Sequence, residues 1–339
     1  MDETLQRETE ALRHSWERHD AAFLRGYLVA GVEDPRINVQ SVLTRHFLLG
    51  LLFGDRFAAL RAQELRFAAA CNWLLSLQDE LAEKEGRAAL RFGLERGAEN
   101  VEGLVIPRYA HELWRALPAS ADGVEIPNYL AVLLASEPAP SGLLVSPAAD
   151  TFTGLWKARL AEQAIPEPRF SVLELACGSA NDYRAFAACG LARLLDYTGL
   201  DLSAKNIANA REQFPTARFE VGNALAIAAA DRAFDCVFVH DLFEHLSPEA
   251  LPVAVAECCR VTRRAACLGF FSLAEVTDHV IRPLVEYHWN TLSVERLVAL
   301  FRGHGFAATV IHIGTFLKWL TGDASAHNPD AYTIVVQRA

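Results

Sequence analysis

The sequence predicts a doubly wound α/β sheet in the second half of the chain, preceded by an all-helical domain. From Phe170 onward, short β-rich runs alternate with helical ones, which is typical of a parallel sheet with helices on both faces. Before that point, apolar residues recur at steps of three and four, as on one face of a helix. The length of 339 residues favours two domains, or one domain with a large extension.

Composition and charge exclude several classes of protein. Hydrophobic residues make up 52% of the chain and charged residues 22%, which excludes a disordered, collagen-like or coiled-coil protein. The formal net charge of -10, without a sizeable Lys/Arg cluster, argues against nucleic acid as a partner. The acidic first ten residues lack the pattern of a signal peptide, and the most apolar segment, residues 47–54, is far shorter than the roughly 20 residues that span a bilayer. We therefore expect a cytoplasmic protein with no membrane partner, and the sequence does not indicate its oligomeric state.

The cysteines predict neither a disulfide framework nor a metal site. Their number is odd, and no two of them form a Cys-x-x-Cys pair. We expect all seven to be reduced and most to be buried.

Two apolar stripes in the first part of the chain predict long helices. The first stripe runs from Leu5 to Tyr27, and the second from about Asp55 to Glu85. Glu64 and Gln78 interrupt the second stripe, so they need partners if they are buried. A hydrogen bond between helices, or a place at the edge of the stripe, is the simpler interpretation, and a contact with substrate is the alternative. Further helices are expected over residues 87–99 and 107–117.

A segment rich in turn residues predicts the domain boundary. Residues 118–147 carry PASADG, EPAPSG and SPAAD around one short apolar run, residues 129–136. We place a helical cap or substrate domain in residues 1–148 and the α/β domain in residues 149–339.

Seven strands are predicted in the second part. The last two follow a helix at residues 293–304, and we expect them to be joined by a loop as an antiparallel edge hairpin. The predicted strands are residues 171–176, 197–200, 218–221, 236–240, 266–271, 307–313 and 331–337.

The first of these strands runs into a turn of small residues. The segment VLELACGSANDY, residues 172–183, passes from strand to helix through Ala176, Gly178 and Ala180. Small side chains let a ligand approach the backbone closely. Two of the three glycines usual in such a turn are alanine here, so the turn alone also suits an α/β protein that binds nothing at this point.

Polar residues follow the next strands at the same edge of the sheet. Asp201 ends the second strand, 27 residues after Glu174, where a carboxylate can accept both hydroxyls of a ribose. Asn223 and Ala224 follow the third strand, where a side-chain amide can meet the edge of an adenine. The fourth strand delivers His240 and the segment HDLFEHL. Because ligands of open α/β sheets bind at the carboxyl ends of the strands, this series predicts a nucleoside site.

The series resembles the class I S-adenosylmethionine-dependent methyltransferase superfamily, from about residue 156 to the carboxyl terminus. Glu174, Ala176, Gly178 and Ala180 match its acidic-x-Gly-x-Gly-x-Gly motif, with the two alanines as departures. Residues 290–306 also look like the last helix of that family and the strand after it. The resemblance implies a seven-stranded Rossmann-like sheet and S-adenosyl-L-methionine as cofactor. The cofactor-binding residues that it implies are Glu174, Ala176, Cys177, Gly178, Asp201, Leu202, Asn223, Ala224 and His240.

An NAD-binding fold is the nearest alternative, because it shares the strand-turn-helix and the ribose acid. The glycine spacing does not suit a pyrophosphate on a helix amino terminus. The final strand pair also suits a methyltransferase sheet better than a dinucleotide one. We therefore expect binding of S-adenosylmethionine and not of NAD.

Candidate catalytic residues are His240, His245, His288 and Tyr183. The two histidines of the HDxxEH segment could act in acid–base chemistry, although a structural role or a contact with the cofactor edge is the simpler interpretation, and no metal site is expected. Tyr183 could place its ring face over a sulfonium cation. Packing of that ring on Trp156 or Phe186 is the alternative.

Two further segments could contact an acceptor. An insertion after the fifth strand, residues 272–290, would overhang the reactive end of the cofactor, or would pack as a lid. In the first part of the chain, Arg36 or Arg45 could hold a carboxylate, although solvated charges at a helix start are the simpler interpretation. The candidates in the insertion are His279, Glu286, Tyr287, His288 and Trp289.

The resemblance implies methyl transfer to a small-molecule acceptor, which we expect to belong to secondary-metabolite biosynthesis. If the acceptor is a hydroxyl or an acidic carbon, one of His240, His245 or His288 would be its base, whereas an amine could need none. One alternative is that S-adenosylmethionine is itself the substrate and cyclises to azetidine-2-carboxylate with release of methylthioadenosine. The other is a non-catalytic, cofactor-binding regulatory protein.

Overall fold

The computed structural model describes residues 3–29, 31–137, 146–322 and 328–339, with only the backbone of residues 146–148. Fourteen α-helices and thirteen β-strands lie in these ranges. The helices are α1 (Glu3–Glu17), α2 (Ala21–Gly26), α3 (Val39–Phe53), α4 (Ala58–Leu75), α5 (Gln78–Ala82), α6 (Lys84–Arg96), α7 (Arg108–Ala116), α8 (Tyr129–Ala135), α9 (Ser146–Ala161), α10 (Asn181–Ala188), α11 (Ala204–Gln213), α12 (Ala250–Val261), α13 (Val294–Gly303) and α14 (Ile313–Thr321).

The strands form one large sheet and three two-stranded ladders. They are β1 (Asn100–Val101), β2 (Leu104–Val105), β3 (Ala119–Ala121), β4 (Val124–Ile126), β5 (Phe170–Leu175), β6 (Leu195–Asp201), β7 (Arg218–Val221), β8 (Phe234–His240), β9 (Thr262–Phe270), β10 (Leu273–Ala274), β11 (Leu292–Ser293), β12 (Phe306–His312) and β13 (Tyr332–Arg338).

The large sheet has seven strands in the order β12-β13-β9-β8-β5-β6-β7. Strands β5 to β9 are parallel to one another, whereas β13 pairs antiparallel with both β9 and β12. Central strands such as β5 and β8 are apolar and buried almost throughout, as expected for parallel strands covered by helices on both faces. The predicted fold class is confirmed, and all seven strands of the sheet were predicted to within a few residues.

The carboxyl ends of β5, β6 and β8 form the edge of the sheet that matters for function. Parallel pairing of β5 with β6 and with β8 sets these three ends side by side. Residues 176–180, Asp201 and His240 therefore meet at one edge, as the sequence predicted.

The core runs across the predicted boundary at residue 148. Phe67 of α4 stacks on Phe152 of α9 with ring centroids 4.7 Å apart, and Tyr129 of α8 packs edge-on against both rings. The same apolar cluster continues to Val172 of β5. The helices before residue 148 thus share one core with the sheet, and the division at this residue stays a prediction. The first part is also not all-helical, because β1 with β2 and β3 with β4 form antiparallel hairpins.

Two predicted long helices are broken. The stripe from Leu5 to Tyr27 is divided between α1 and α2, because Asp20 caps α2 by accepting a hydrogen bond from the backbone N–H of Phe23. The stripe over residues 55–85 is divided between α4 and α5. At that break the hydroxyl of Ser76 donates to the carbonyl of Trp73, at 2.5 Å, and competes with helix continuation.

The expected linker and the expected terminal loop are both structured. Within residues 118–137 lie the hairpin of β3 with β4 and the helix α8, whose Tyr129 and Leu133 are fully buried; residues 138–145 lie outside the described ranges. Between β12 and β13 stands α14, which buries Ile313 and Leu317 against α3 and α4. The loop prediction was wrong because these two residues, four apart, form a helical stripe.

Two predictions about composition were testable in the structure. All seven cysteines are free and buried, as predicted. Among the helices of the described ranges, none combines the length and apolarity that a membrane crossing requires.

Candidate functional site

The turn after β5 has an unusual backbone. Ala176, Gly178 and Ala180 have φ angles of 58°, 52° and 70°, in the left-handed region that favours glycine. The two alanines therefore keep the conformation of the glycines that they replace, at a cost in strain. A Cβ built on Gly178 would meet no atom within 4 Å, so this backbone face is open to a ligand.

Asp201 ties the turn to the end of β6. Its Oδ2 accepts a hydrogen bond from the N–H of Gly178 at 2.9 Å, and its Oδ1 accepts from the N–H of Ser203 at 2.8 Å and the amide of Asn206 at 3.2 Å. Burial raises the pKa of Asp201, although these bonds oppose the shift. A carboxylate offers about four acceptor positions, so it can accept roughly one further bond. In this arrangement the Asp201 carboxylate therefore has room for one ribose hydroxyl, whereas the sequence predicted two.

A cavity of about 60 Å³, which we call the nucleoside cavity, lies between this edge and α1. Its lining includes Asp201 and Asn223 from the sheet side and Thr9 from α1. Both ends of the Asn223 amide have protein partners, because Nδ2 donates to the Thr9 hydroxyl and Oδ1 accepts from the N–H of Leu225. The other lining residues are Leu12, Ala176, Leu200, Leu202, Gly222, Ala224, Leu225, Leu242 and Leu246.

Three of the predicted cofactor-binding residues near this turn, Glu174, Cys177 and Gly178, do not line this cavity. Glu174 is buried and accepts a hydrogen bond from the hydroxyl of Tyr197, and burial raises the pKa of its carboxyl well above the usual range. Cys177 is buried beside Gly199, where its Sγ lies 2.9 Å from a Cβ built on that glycine. The side chains of Glu174 and Cys177 are buried, and their predicted contact with the cofactor stays a prediction.

A second cavity, of about 40 Å³, lies on the other side of the same turn. We call it the acidic pocket, because Glu33, Asp182 and Asp241 line it. His240 lines it too, so this predicted cofactor residue does not face the nucleoside cavity. The N-terminal part of the chain completes the wall with Leu28, Pro35, Asn38, Gln40 and Ser41, and Asn181 closes the sheet side.

His240 is held by both ring nitrogens. Its Nδ1 lies 2.9 Å from Asp182 Oδ2, and its Nε2 lies 2.8 Å from the hydroxyl of Thr44 in α3. Burial alone would lower the pKa of His240, but the adjacent Asp182 carboxylate outweighs it and raises the pKa. Gly269 makes room for the ring, since a Cβ there would lie 2.6 Å from His240 Cδ2.

Asp241 follows β8 with a φ of 52°, a strained conformation that Asp tolerates better than most residues. Burial raises its pKa to about 7; His240 opposes the shift, whereas Glu33 and Asp182 add to it. Strain next to a ligand-binding edge is a common mark of a functional residue.

Comparison with known proteins identifies the domain. Residues 172–265 match the family model described as "Methyltransferase domain", and this range contains the turn, Asp201, Asn223, His240 and Asp241. This match confirms, for these residues, the predicted resemblance to the class I S-adenosylmethionine-dependent methyltransferase superfamily. The enzyme class is thus S-adenosylmethionine-dependent methyltransferase, and the cofactor is S-adenosyl-L-methionine.

Solved structures similar to the methyltransferase domain include three methyltransferases. The 1,6-didemethyltoxoflavin-N1-methyltransferase of Burkholderia thailandensis is 14% identical, over 55% of this chain and 76% of its own, with a TM-score of 0.39. An S-adenosylmethionine-dependent methyltransferase of Methanosarcina mazei is 16% identical, over 51% and 94%, with a TM-score of 0.40. The glycopeptide N-methyltransferase MtfA is 15% identical, over 55% and 86%, also with a TM-score of 0.40. Similarity this low shows the fold alone. No curated protein sequence matches the chain.

Two candidate catalytic histidines of the methyltransferase domain contact each other and line neither cavity. His245 Nδ1 lies 3.0 Å from the carbonyl of His288, and the His288 N–H donates to the carbonyl of His245. The His245 ring packs against Phe271, Tyr287 and Trp289, and burial lowers its pKa. The His245 ring is thus packed within the insertion, whereas His288 contributes its backbone to this contact and its buried Nδ1 has no hydrogen-bond partner in the described ranges.

The other candidates in the insertion are engaged in the same way. His279 accepts a hydrogen bond from the N–H of Ser293 at 2.9 Å, and Glu286 forms an ion pair with Arg18. Tyr287 and Trp289 pack on His245. Each of these four side chains therefore has a protein partner, Glu286 reaches Arg18 just after α1, and the residues of the insertion line neither cavity.

Tyr183 is not placed over either cavity. Its ring packs against Tyr197 at 4.5 Å, Phe214 at 5.1 Å and Phe219 at 5.6 Å between ring centroids. Packing of the ring is therefore observed, although on other partners than Trp156 or Phe186, and the cation–π contact with a sulfonium stays a prediction.

The arginines of the first part are also engaged. Arg36 forms ion pairs with Asp34 and Asp150, each at 2.5 Å. Arg45, only 2% exposed, pairs with Glu64 at 2.9 Å. The interpretation as solvated charges is wrong for Arg45, and the predicted hydrogen bond between helices is confirmed for Glu64, which also accepts from His46 and Trp156.

Sequence reasoning missed the residues that the N-terminal part brings to the site. Thr9 and Leu12 line the nucleoside cavity, and the acidic pocket is lined by Leu28, Glu33, Pro35, Asn38, Gln40 and Ser41. Leu12 belongs to a recognisable stripe, but nothing in that stripe says which surface it covers. Within the described residues, no cluster of three or more His, Cys, Asp or Glu could hold a metal ion.

Proposed function

We propose that this enzyme transfers the methyl group of S-adenosylmethionine to a small-molecule acceptor that reacts at the acidic pocket. The observation that carries the proposal is the position of two cavities on either side of one strained turn. The nucleoside cavity borders Ala176 and Leu242, and the acidic pocket borders Asp182 and Asp241. A ligand that bridges residues 176–182 would therefore reach from one cavity to the other.

The nucleoside cavity suits the adenosine end of the cofactor. Six leucines give it apolar walls for a purine, and Asp201 supplies a carboxylate for a ribose hydroxyl. The open face of Gly178 lets the backbone approach the ligand. Leu202 and Ala224 would contact the base, and Ala176 would lie beside the amino-acid chain.

Helix α1 would move when the cofactor enters. A cavity of about 60 Å³ is narrower than a nucleoside requires, so one wall must shift. Helix α1 buries only two of its residues, Leu5 and Thr9, whereas the opposite wall belongs to the sheet. Elements with few buried contacts open at the lowest cost, so α1 is the wall that would yield.

The acidic pocket would position the acceptor. S-adenosylmethionine supplies a methyl group already activated on a sulfonium, so alignment of the acceptor can provide most of the rate enhancement, roughly 7–11 kcal/mol. The pocket is lined by α3 and by the segment before it, which supports the role of residues 1–148 as a cap or substrate domain.

A second candidate function is cyclisation of S-adenosylmethionine itself to azetidine-2-carboxylate. The observation that favours it is the cover over the edge: α1 lies on the nucleoside cavity, and the backbone carbonyl of Tyr27 accepts a hydrogen bond from Asn181 at 2.7 Å beside the acidic pocket. An enclosed site with carboxylates at the reactive end suits a reaction that needs no second substrate.

Product analysis after incubation with S-adenosylmethionine distinguishes the two candidates. With a small-molecule metabolite extract present, methyl transfer yields S-adenosylhomocysteine, and with enzyme and cofactor alone the yield should be negligible. Methylthioadenosine formed by enzyme and cofactor alone, above the enzyme-free background, would overturn methyl transfer in favour of cyclisation. Unchanged cofactor under every condition would contradict both.

A further inference from the structure

The acidic pocket holds more negative charge than its protein surroundings compensate. Glu33, Asp182 and Asp241 line it, and none of the lining residues in the described ranges is Lys or Arg. The two nearest candidate cations are engaged elsewhere, since Arg36 pairs with Asp34 and Asp150, and Arg45 pairs with Glu64. Only His240, bonded to Asp182, offers a positive charge inside the pocket.

Buried oxygen atoms in this pocket also lack hydrogen bonds. Asn181 Oδ1, Asp182 Oδ1 and Asp241 Oδ1 are buried and have no hydrogen-bond partner in the part of the chain that the structure describes. Asp182 is only 8% exposed and lines the pocket. A buried polar atom without a partner is costly, and native proteins rarely leave several together. Three acceptor oxygens around one small cavity fit a group that carries several N–H donors and a positive charge, which describes an ammonium group.

The chemistry of methyl transfer to nitrogen requires a proton acceptor at this point. An ammonium has no lone pair, so it must lose a proton before its nitrogen can attack carbon. Both nitrogens of His240 already have partners, Asp182 and Thr44. Asp241 keeps one oxygen without a partner, and burial raises its pKa to about 7, close to the value expected of a base that works near neutrality.

We infer that the acidic pocket binds a protonated amine and that Asp241 accepts the proton that this amine loses. The inference rests on the proposed function and names the substrate class of that site. Glu33 and Asp182 hold the positive charge, and His240 positions Asp182. The proton passes from nitrogen to the Asp241 carboxylate, the nitrogen lone pair forms the new N–C bond, and the C–S bond breaks with its electron pair left on sulfur.

The amine could come from two sources that share this chemistry. It could be the amine of a separate acceptor, in which case the carbon attacked is the methyl group. It could also be the amino group of S-adenosylmethionine itself, in which case the carbon attacked is the one that closes a four-membered ring.

Calorimetric titration with two probes distinguishes the sources. S-adenosylhomocysteine carries the amino-acid group, and 5′-methylthioadenosine lacks it. If the pocket binds the cofactor's own ammonium, Asp241→Asn and Glu33→Gln weaken binding of S-adenosylhomocysteine by about tenfold or more, because charge-assisted hydrogen bonds are lost. Binding of 5′-methylthioadenosine stays unchanged. Asn tolerates the left-handed backbone of residue 241, and Asp278→Asn, an exposed acid paired with Arg296, is the matched control.

A third probe covers the separate acceptor. If the amine is not the cofactor's own, both variants bind S-adenosylhomocysteine normally, and n-butylamine titrated into the wild-type complex binds in the millimolar range. That binding is lost in Asp241→Asn and retained in Asp278→Asn, and n-butanol does not bind to any of them. The pH dependence of amine binding should follow Asp241 together with the groups that interact with it, which are Tyr27, Glu33, Asp182, His240 and Glu244.

The failure of this inference differs from the failure of the proposed function. The inference alone would be overturned by two results together. The wild-type protein, Asp241→Asn and Glu33→Gln would bind S-adenosylhomocysteine equally, and binding of n-butylamine would be absent or unchanged in Asp241→Asn. No binding of S-adenosylhomocysteine to the wild-type protein would overturn the proposed function as well.

Discussion

Glu64 is a buried acid that joins α3, which forms part of the wall of the acidic pocket, to α4 and α9. It lies in α4 and accepts hydrogen bonds from Arg45 of α3 at 2.9 Å, from His46 of α3 at 2.6 Å and from Trp156 of α9 at 2.7 Å. Glu64 and Arg45 are only 1% and 2% exposed. Although burial would raise the pKa of Glu64, Arg45 and His46 lower it to about 2, so the carboxylate is charged in the folded protein.

We predict that Glu64→Gln lowers the free energy of unfolding by about 3–5 kcal/mol. The substitution leaves the Arg45 guanidinium buried without a counter-charge, which is the expensive way to break a buried ion pair. Its new amide N–H groups would also face other donors, from His46 or Trp156. Helix α3 places Ser41 in the wall of the pocket and Thr44 against His240. Because the substitution loosens α3, turnover should fall as well.

Urea unfolding followed by tryptophan fluorescence measures the effect. The control is Glu95→Gln, which removes an exposed partner of Arg91 at the same 2.9 Å distance and should cost only about 0.3–0.5 kcal/mol. The reasoning is refuted if the two variants lose the same amount, because burial would then not matter.

Three further predictions follow from the packing. The stability that Glu64 contributes should be lost in acid, because its folded-state pKa of about 2 lies below its usual value of 4.5, and the unfolded chain therefore binds a proton there that the folded chain does not. The difference in urea midpoint between the wild-type protein and Glu64→Gln should be full at neutral pH and should shrink as the pH falls below 4.5; a difference that stays constant in this range would contradict this. Gly269→Ala should displace His240 from Asp182 and Thr44, because the new Cβ would lie 2.6 Å from the ring. Turnover should then fall by about tenfold or more. Gly303→Ala is the control: its new Cβ would meet no atom within 4 Å, and turnover should not change. The cysteine thiols should react slowly with a thiol reagent in the folded protein, because all seven are buried. Burial also raises the pKa of Cys189 to about 11 and of Cys267 to about 12. Rapid reaction of several thiols without unfolding would disprove this prediction.

The sheet could be predicted because its signal is local. Each parallel strand is a short apolar run, and each carboxyl end carries its own small or polar residue, as at Gly178, Asp201 and His240. Topology then brings these ends together without further information. The breaks in the long helices were missed because they depend on single side chains, Asp20 and Ser76, within stripes that otherwise continue.

The acidic pocket could not be predicted because its walls are far apart in the chain. Thr44 meets His240 across 196 residues, and Thr9 meets Asn223 across 214. Polar residues such as Glu33 and Ser41 look like ordinary residues near a helix start until the fold places them against β8. The surroundings of the Tyr183 ring could not be predicted either. Its position after the turn can be read from the local sequence, but its ring packs on Tyr197 and Phe219 of neighbouring strands.

Calorimetric titration of S-adenosylhomocysteine into Gly178→Val tests the central claim, that the cofactor lies on the turn after β5, most directly. Gly178 has an open face and a φ of 52°, and Gly305 has an equally open face and a φ of 80° far from the site, so Gly305→Val controls for backbone strain. The wild-type protein and Gly305→Val should bind in the micromolar range, without binding NAD, and Gly178→Val should show no binding while it stays folded by circular dichroism. Equal binding by both variants would contradict the account, because the added side chain would then not reach the ligand.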